Sequence, residues 1–324
     1  MKTIKLTSIL LILALLLCAC GTPAAQAPEQ TTSEPEQATS APEPTLASSP
    51  SDAPSVAAPS LLTLEEYPLV DGSTANLPLM AAVMARVTGI DPVQAETLSS
   101  CTTTPYAYAA LVEGTAELLL VYEPAEETYK MIEQSGAQLE FTPIGRDALV
   151  FIANESNPVA GLTTQQLIDI YTGKITSWKD VGGNDKVITA FQRASASGSQ
   201  ALFRKLLMKD VKPMDAPTEL YPSEMGELIE AIAEYNNDGG ALGFSVFYYA
   251  NYMYTKPGLK FIAVDGVMPS DATIADASYP FINEFYAVVR KDSPVDSPER
   301  KVVEWLKTNE GTQCIQGAGY IPVR

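Results

Sequence analysis

Apolar and polar positions follow two alternating periods from about residue 64 to the end of the chain. Short, nearly continuous apolar runs are typical of buried strands, and the segments between them carry apolar residues at helical spacing. The runs predict strands at 67–72, 116–123, 148–154, 186–193 and 284–291, with another strand beginning at residue 240. The helical spacing predicts helices at 77–89, 107–114, 163–173, 199–208 and 226–236, and two more between 297 and 320. Strands that alternate with helices in this way predict an α/β fold.

The N-terminus has a different pattern. Lys2 and Lys5 precede an apolar stretch at 6–17, which is shorter than the roughly 20 residues that a membrane-spanning helix needs. A short positive region followed by such a stretch predicts a secretory signal peptide, here over residues 1–19, and this segment is left out of the fold.

The end of the apolar stretch, Leu17-Cys18-Ala19-Cys20, resembles a bacterial lipobox. Cys20 is the expected lipidation site, whereas Cys18 fits less well because Leu17 would then occupy the position of a small residue. An ordinary signal peptide with two incidental cysteines is the alternative. A lipidated Cys20 predicts a protein anchored to the extracytoplasmic face of the cell membrane and not spanning it.

The composition changes after Cys20. Residues 21–62 contain 8 of the 24 prolines, five acidic residues and no lysine or arginine. Such a segment buries too little apolar surface to offset the entropy of ordering it, so a disordered tether is expected over 20–62. The remaining residues, 63–324, suffice for one large domain or two lobes.

Charge and missing residue types limit the chemistry. The net charge of −18 argues against nucleic acid as a partner, because nucleic-acid binding needs a basic surface. The chain has no histidine, which excludes Ser-His-Asp and Cys-His catalysis and His-ligated zinc. No enzymatic activity, cofactor or metal is therefore expected, although a hydrolase based on carboxylates alone stays an alternative. Whether Cys101 and Cys314 form a disulfide stays open.

Three loops rich in serine and threonine precede predicted helices. They carry Ser73 and Thr74, then Thr102, Thr103 and Thr104, and then Arg193, Ser195, Ser197, Gly198 and Ser199. Each loop taken alone fits ordinary helix capping, for which serine and threonine are preferred. Three such loops, one of them with an arginine, favour a site for an oxyanion, since helix N-termini offer free N–H groups and arginine offers forked donors.

The same loops belong to longer phrases, among them DGSTA (71–75), YTGKITSWKDVGG (171–183) and FQRASASGSQALF (191–203). From about Tyr67 to its C-terminus the chain resembles the phosphate-type substrate-binding lipoproteins of bacterial ABC importers. The resemblance implies a two-lobed, periplasmic-binding-protein-like (type II) fold in which each lobe is a mixed sheet flanked by helices. Lobe I would comprise about 64–146 and 281–324, and lobe II about 147–280. The two crossing segments would lie near 141–146 and 279–284.

The resemblance also implies a set of ligand-binding residues, carried over by position. They are Ser73, Thr74, Thr102, Thr103, Glu123, Arg193, Ser195, Ser197, Gly198 and Ser199. Relatives often have an Asp or Asn in the arginine loop, where this chain has Ser195, and a threonine where it has Ala201.

Glu123 aligns with a carboxylate that some members of the family place against the ligand. Phosphate near neutral pH keeps a proton that an ionised carboxylate can accept, whereas sulfate has none. Glu123 is therefore a candidate for discriminating phosphate from sulfate. The alternative is a carboxylate at a helix start before Pro124.

The function implied by the resemblance is capture of inorganic phosphate and its delivery to the transmembrane subunits of an ABC permease. A monomer is expected. The alternatives are a binder of another oxyanion such as sulfate or molybdate, and a phosphate sensor or surface module that has the same fold without a role in transport.

Overall fold

The computed structural model describes residues 60–215, 225–234 and 239–323. The predicted signal peptide, Cys20 and all but the last three residues of the predicted tether lie outside these residues. Leu62 is already buried in the hydrophobic core, and its N–H donates to the Val87 carbonyl at 3.2 Å. None of the described helices is both long and apolar enough to cross a membrane.

The bounds of the secondary-structure elements follow in chain order. The α-helices in the described ranges are α1 (Leu77–Thr88), α2 (Pro92–Leu98), α3 (Thr104–Glu113), α4 (Glu126–Ser135), α5 (Thr164–Tyr171), α6 (Gly198–Leu202), α7 (Met225–Glu234), α8 (Asp271–Ala275), α9 (Pro298–Leu306) and α10 (Asn309–Gly317). The strands are β1 (Val70–Gly72), β2 (Leu118–Tyr122), β3 (Leu139–Asn154), β4 (Gly161–Leu162), β5 (Thr189–Ala190), β6 (Ala241–Val246), β7 (Leu259–Val264), β8 (Ile282–Arg290) and β9 (Ile321–Pro322). Helix α6 continues without a break into a π-helical segment, Phe203–Met208.

Two sheets share the long strand β3. In the first sheet β1 runs parallel to β2, and β8 lies antiparallel between β2 and the first part of β3. In the second sheet the later part of β3 lies antiparallel between β6 and β7, and β5 runs parallel to β6. The pairing of β3 with β8 ends at Ala148, and its pairing with β6 begins at Leu149. The strand therefore passes from one sheet into the other between these two residues.

The first lobe is the part built on the first sheet, residues 60–148 and 282–323, and the second lobe consists of the described residues between them. The second crossing lies next to the first, because the Leu149 N–H donates to the Phe281 carbonyl at 2.9 Å. Strands β2 and β6 are buried along their whole length, which explains why they read as continuous apolar runs in the sequence. The predicted two-lobed α/β fold is confirmed.

Several elements differ from the sequence-based predictions. The apolar run at 186–193 contributes only the two paired residues of β5, and helices α2, α4 and α8 and strand β7 were not predicted. Strand β3 begins at Leu139 and not at 148, because it continues through a register irregularity between Pro143 and Gly145. A proline and a glycine at this point give the sequence the look of a linker.

Candidate anion-binding site

The first loop follows β1 and depends on a close approach of two strands. A Cβ atom at Gly72 would lie 2.0 Å from the Leu120 carbonyl oxygen, so only glycine fits beside β2. Ser73 comes next and is buried. Its hydroxyl accepts the Tyr122 N–H at 3.1 Å and shares a hydrogen bond with the Thr104 hydroxyl at 2.8 Å. Ser73 thus joins its own loop to β2 and to the start of α3.

The second loop leads into α3 and is tied to the first loop by Asp71. The Asp71 carboxylate accepts the N–H groups of Gly72 and Thr102, each at 2.7 Å, and also the Thr102 hydroxyl. Both donors of Thr102 are therefore given to the protein itself. Thr103 has φ 84° and ψ 161°, a backbone region that is essentially reserved for glycine and costs about 1–3 kcal/mol. Strain of this kind at a helix start is typical of a functional loop.

Helix α3 is held in place by Tyr108. Its hydroxyl donates to the Tyr122 carbonyl at 3.0 Å, and its ring is fully buried. This contact fixes α3 against β2, so the first turn of the helix, with the N–H groups of Thr104 and Tyr106, faces the first loop. Pro105 in the same turn has no N–H to offer.

The third loop belongs to the second lobe and runs from β5 to α6. Gln200 braces it from inside: the Arg193 N–H donates to the Gln200 side-chain oxygen at 2.8 Å. Ser197 caps α6, and its hydroxyl accepts the Gln200 N–H at 3.2 Å. The helix itself is anchored by Phe203, whose ring stacks on Phe244 at a centroid distance of 4.5 Å. The loop is thereby held at a fixed place above the second sheet.

The three loops meet around one cavity of about 380 Å³, which we call the cleft cavity. Its lining includes eight of the residues that the sequence predicted, namely Ser73, Thr74, Thr102, Thr103, Arg193, Ser197, Gly198 and Ser199. The first four belong to the first lobe and the other four to the second. The lobes touch here, because a Cβ atom at Gly198 would lie 2.8 Å from the Thr104 hydroxyl oxygen.

The charge and the donors of the cleft cavity suit an anion. Arg193 is 7% exposed and is the only charged residue in the described lining. Ser199 is 1% exposed, and its hydroxyl has no hydrogen-bond partner among the described residues. A buried hydroxyl without a partner costs free energy, so a ligand oxygen at Ser199 would remove that cost. The cavity therefore offers a guanidinium, an unused hydroxyl and two helix starts to one small anion.

Comparison with known proteins agrees with this geometry. A model of the PBP superfamily domain matches residues 27–307. The chain belongs to the PBP superfamily. It is 28% identical over 180 residues to the phosphate-binding protein PstS of Bacillus subtilis, covering 54% of this chain and 56% of that protein. It is 25% identical over 202 residues to PstS of Borreliella burgdorferi, covering 61% and 70%. The chain thus spans little more than half the length of the Bacillus relative.

A solved structure shows the same superfamily fold. An ABC-type phosphate transport receptor from Vibrio cholerae superposes with a TM-score of 0.58 at 24% identity, covering 79% of this chain and 100% of that chain. This likeness concerns the fold. The predicted resemblance to phosphate-type binding proteins of this superfamily is confirmed, and the relatives are named as binding proteins and not as enzymes.

Glu123 and Ser195 do not line the cleft cavity of this superfamily member. Both line a second cavity of about 400 Å³ nearby, which we call the mouth cavity. Glu123 follows β2 and forms an ion pair with Lys205, and it accepts the Tyr129 hydroxyl at 3.2 Å. Ser195 is exposed, while its neighbours Ala194 and Ala196 line the cleft cavity. The two predicted residues are thus separated from the other eight, Glu123 because it follows Tyr122 at the end of β2 and Ser195 because it lies in a turn.

Tyr122 lines the cleft cavity instead, and sequence reasoning missed it. Its hydroxyl donates to the buried Asp147 carboxylate at 2.6 Å, and Asp147 also accepts the N–H groups of Ala148 and Tyr248. Burial raises the pKa of Asp147 to about 6, although these hydrogen bonds oppose the shift. Asp147 therefore joins the first lobe, through Tyr122, to the second lobe, through Tyr248. No sequence motif marks the pair, because the two residues lie far apart in the chain and meet only in the fold.

The described ranges contain no group of three or more acidic or cysteine side chains arranged to hold a metal ion. Cys314 is a free thiol and is partly buried, and Cys101 is partly buried as well. Burial raises the pKa of the Cys314 thiol to about 11.

Proposed function

We propose that the protein is a solute-binding protein that captures inorganic phosphate in the cleft cavity. The observation that carries the proposal is that the buried Arg193 and the Ser199 hydroxyl, which has no partner among the described residues, line one cavity with the Ser73 and Thr103 loops of the other lobe. Phosphate is preferred to other oxyanions because the relatives are named as phosphate-binding proteins. Binding without chemical turnover fits a cavity whose described lining contains no acidic side chain and a chain without histidine.

Calorimetric titration of the full chain, kept in detergent, with phosphate, sulfate and molybdate tests this proposal. We expect saturable binding of phosphate that is tighter than binding of the other two anions. If sulfate or molybdate bound more tightly than phosphate, that anion would be the ligand instead. If none of the three anions bound, the oxyanion-binding function would be refuted.

We further propose that Cys20 carries a lipid that anchors the protein to the extracytoplasmic face of the cell membrane. The lipobox-like Leu17–Cys20 sequence supports this proposal. Metabolic labelling with an alkyne fatty acid in the source cells tests it with a matched pair of variants. Cys20→Ser should lose the label and leave the membrane fraction, whereas Cys18→Ser should retain both. Label that survives in Cys20→Ser would contradict the assignment.

Delivery of phosphate to an ABC permease is the role we propose for the anchored protein, in line with the named relatives. Uptake of radiolabelled phosphate by cells that lack the gene distinguishes transport from sensing. Uptake should fall and should be restored by the wild-type chain but not by Arg193→Ala. Normal uptake combined with a lost transcriptional response to phosphate would instead identify a sensor.

A further inference from the structure

The ion pair between Glu123 and Lys205 joins the two lobes. Glu123 comes directly after β2 of the first sheet, and Lys205 lies in the helical segment that continues α6 of the second lobe. The other ion pairs between described residues stay within one lobe, as Glu140–Arg300 does in the first and Lys179–Asp185 does in the second.

The pair lies beside the ligand-binding cleft and outside it. Glu123 and Lys205 line the mouth cavity, which borders the cleft cavity along the Ala194–Ala196 stretch of the third loop. The mouth cavity is also lined by Glu126 and Glu127 of the first lobe and by Arg204, Lys209 and Asp210 of the second. Lys130 lowers the pKa of Glu126 most, and Arg204 of the second lobe lowers it least. Among these charges, Glu123 and Lys205 form the direct ion pair between the lobes.

The lobes are also in contact inside the cleft, next to the mouth cavity. The space between Gly198 and Thr104 does not admit even a Cβ atom, so the cleft is closed in this conformation. Opening the cleft would separate Glu123 from Lys205 and return both charges to water. The ion pair therefore contributes to the closed state and not to the open one.

We propose that Glu123 and Lys205 form a latch between the lobes, which holds the cleft closed over its anion and slows release. The inference rests on the proposed function only in that the cleft closes on an anion. Glu123 is in this role a positioning residue that never touches the ligand. The side chain of Lys205 is 56% exposed and that of Glu123 is 25% exposed, so the pair is screened by solvent and its effect is modest.

The latch makes a different prediction from the role of Glu123 in anion discrimination. A carboxylate that accepted the proton of phosphate would change the ratio of phosphate to sulfate affinity when it is neutralised. A latch changes the affinities for both anions by the same factor. In addition, Lys205→Gln should reproduce Glu123→Gln, because the two residues act only as a pair.

The experiment measures phosphate affinity and release rate for Glu123→Gln, Lys205→Gln, the double variant and the charge-reversed pair Glu123→Lys with Lys205→Glu. Each single variant should release phosphate about two- to fivefold faster at low salt, with little change in association rate. The double variant should be no weaker than either single one, and charge reversal should restore slow release. At about 1 M salt the differences should largely disappear.

Glu304→Gln and Lys307→Gln are matched controls, because they break an exposed pair that lies within helix α9 and its cap. The proposal would be overturned if the single latch variants released phosphate at the same rate as these controls. It would also be overturned if the charge-reversed pair released phosphate as fast as the single variants do. If Glu123→Gln alone changed the ratio of phosphate to sulfate affinity, Glu123 would contact the ligand directly.

A measurement without ligand separates the latch from the proposed function. Spin labels introduced at the exposed positions Val187, in the second lobe, and Val295, in the first, report the distance between the lobes. The distance distribution should widen in Glu123→Gln and Lys205→Gln, even if the wild-type chain binds no phosphate at all. An unchanged distribution would refute the latch and leave phosphate binding unaffected.

Discussion

In the first lobe the hydroxyls of Ser73 and Thr102 are engaged with other groups of the protein, whereas in the second lobe the Ser199 hydroxyl has no partner among the described residues. The charge is divided in the same way, because Arg193 belongs to the second lobe. We call the first-lobe side of the cleft cavity the first wall and the second-lobe side the second wall. Under the proposed function the first wall acts mainly as a scaffold, and the second wall supplies Arg193 and Ser199 to the ligand. Substitutions in the first wall should mainly change the free energy of unfolding. Substitutions in the second wall should mainly change the affinity for phosphate.

The largest effect is expected at the second wall. Arg193→Ala should weaken phosphate binding by at least about 2 kcal/mol, which is about 30-fold, because a buried charged partner of the anion is lost. Calorimetric titration measures the loss, with Arg86→Ala on the exposed face of α1 as the control. Affinity within a few fold of wild type would show that the guanidinium does not hold the ligand.

The contribution of Asp147, which joins the two lobes, to the free energy of unfolding should depend on pH. The pKa of Asp147 is raised to about 6 by burial, so its stabilising contribution is fully present below about pH 4 and is lost as pH rises through about 6. The free energy of unfolding of wild type, relative to Asp147→Asn, should therefore fall by up to about 3 kcal/mol between pH 4 and 7. Urea denaturation at several pH values measures this difference. A constant difference over the whole range would contradict the assignment to Asp147.

The first wall should show a loss of stability. Ser73→Ala leaves the buried Tyr122 N–H without its acceptor and removes the partner of Thr104, so unfolding should become easier by about 1–3 kcal/mol. Chemical denaturation measures the change. If Ser73→Ala instead kept wild-type stability but bound phosphate more weakly, Ser73 would contact the ligand directly, and the first wall would not be only a scaffold.

The smallest effect is expected at Ser199. Ser199→Ala removes a hydroxyl that the described residues do not use, so stability should stay unchanged or rise slightly while phosphate affinity falls about tenfold. Ser195→Ala, which lies on the same loop outside the cleft cavity, is the matched control and should bind as wild type does. If Ser199→Ala and Ser195→Ala bound phosphate with equal affinity, Ser199 would not contact the ligand.

Sequence patterns predicted which three loops come together, because capping residues and arginine stand at helix starts and such signals are local. The loops around Ser73, Thr103 and Arg193 meet at one cavity, as the resemblance implied. The roles within the loops depended on tertiary contacts. Asp71 accepts both donors of Thr102, and Gln200 braces the arginine loop; both lie in the quoted phrases, but the phrases alone do not show these contacts.

Two differences between the sequence-based expectations and the structure have clear physical reasons. The resemblance implied Glu123 as a ligand-binding residue, whereas in the structure Glu123 lines the mouth cavity, because it comes one residue after Tyr122 and successive side chains of an extended segment point in opposite directions. Helix α4 was missed because its stretch is strongly polar and buries only Thr128 and Ile132. A helix with so few buried positions gives a weak apolar period, although it forms one side of the mouth cavity.

Strand β3 has a mechanical consequence, because one unbroken ribbon of sixteen residues serves both sheets. Small changes in φ and ψ on either side of the junction at Ala148 and Leu149 turn one half of the molecule relative to the other. Loop tips far from this junction would then move over larger distances than the residues next to it. A modest twist of the backbone at this junction would therefore produce a wide movement at the loop tips.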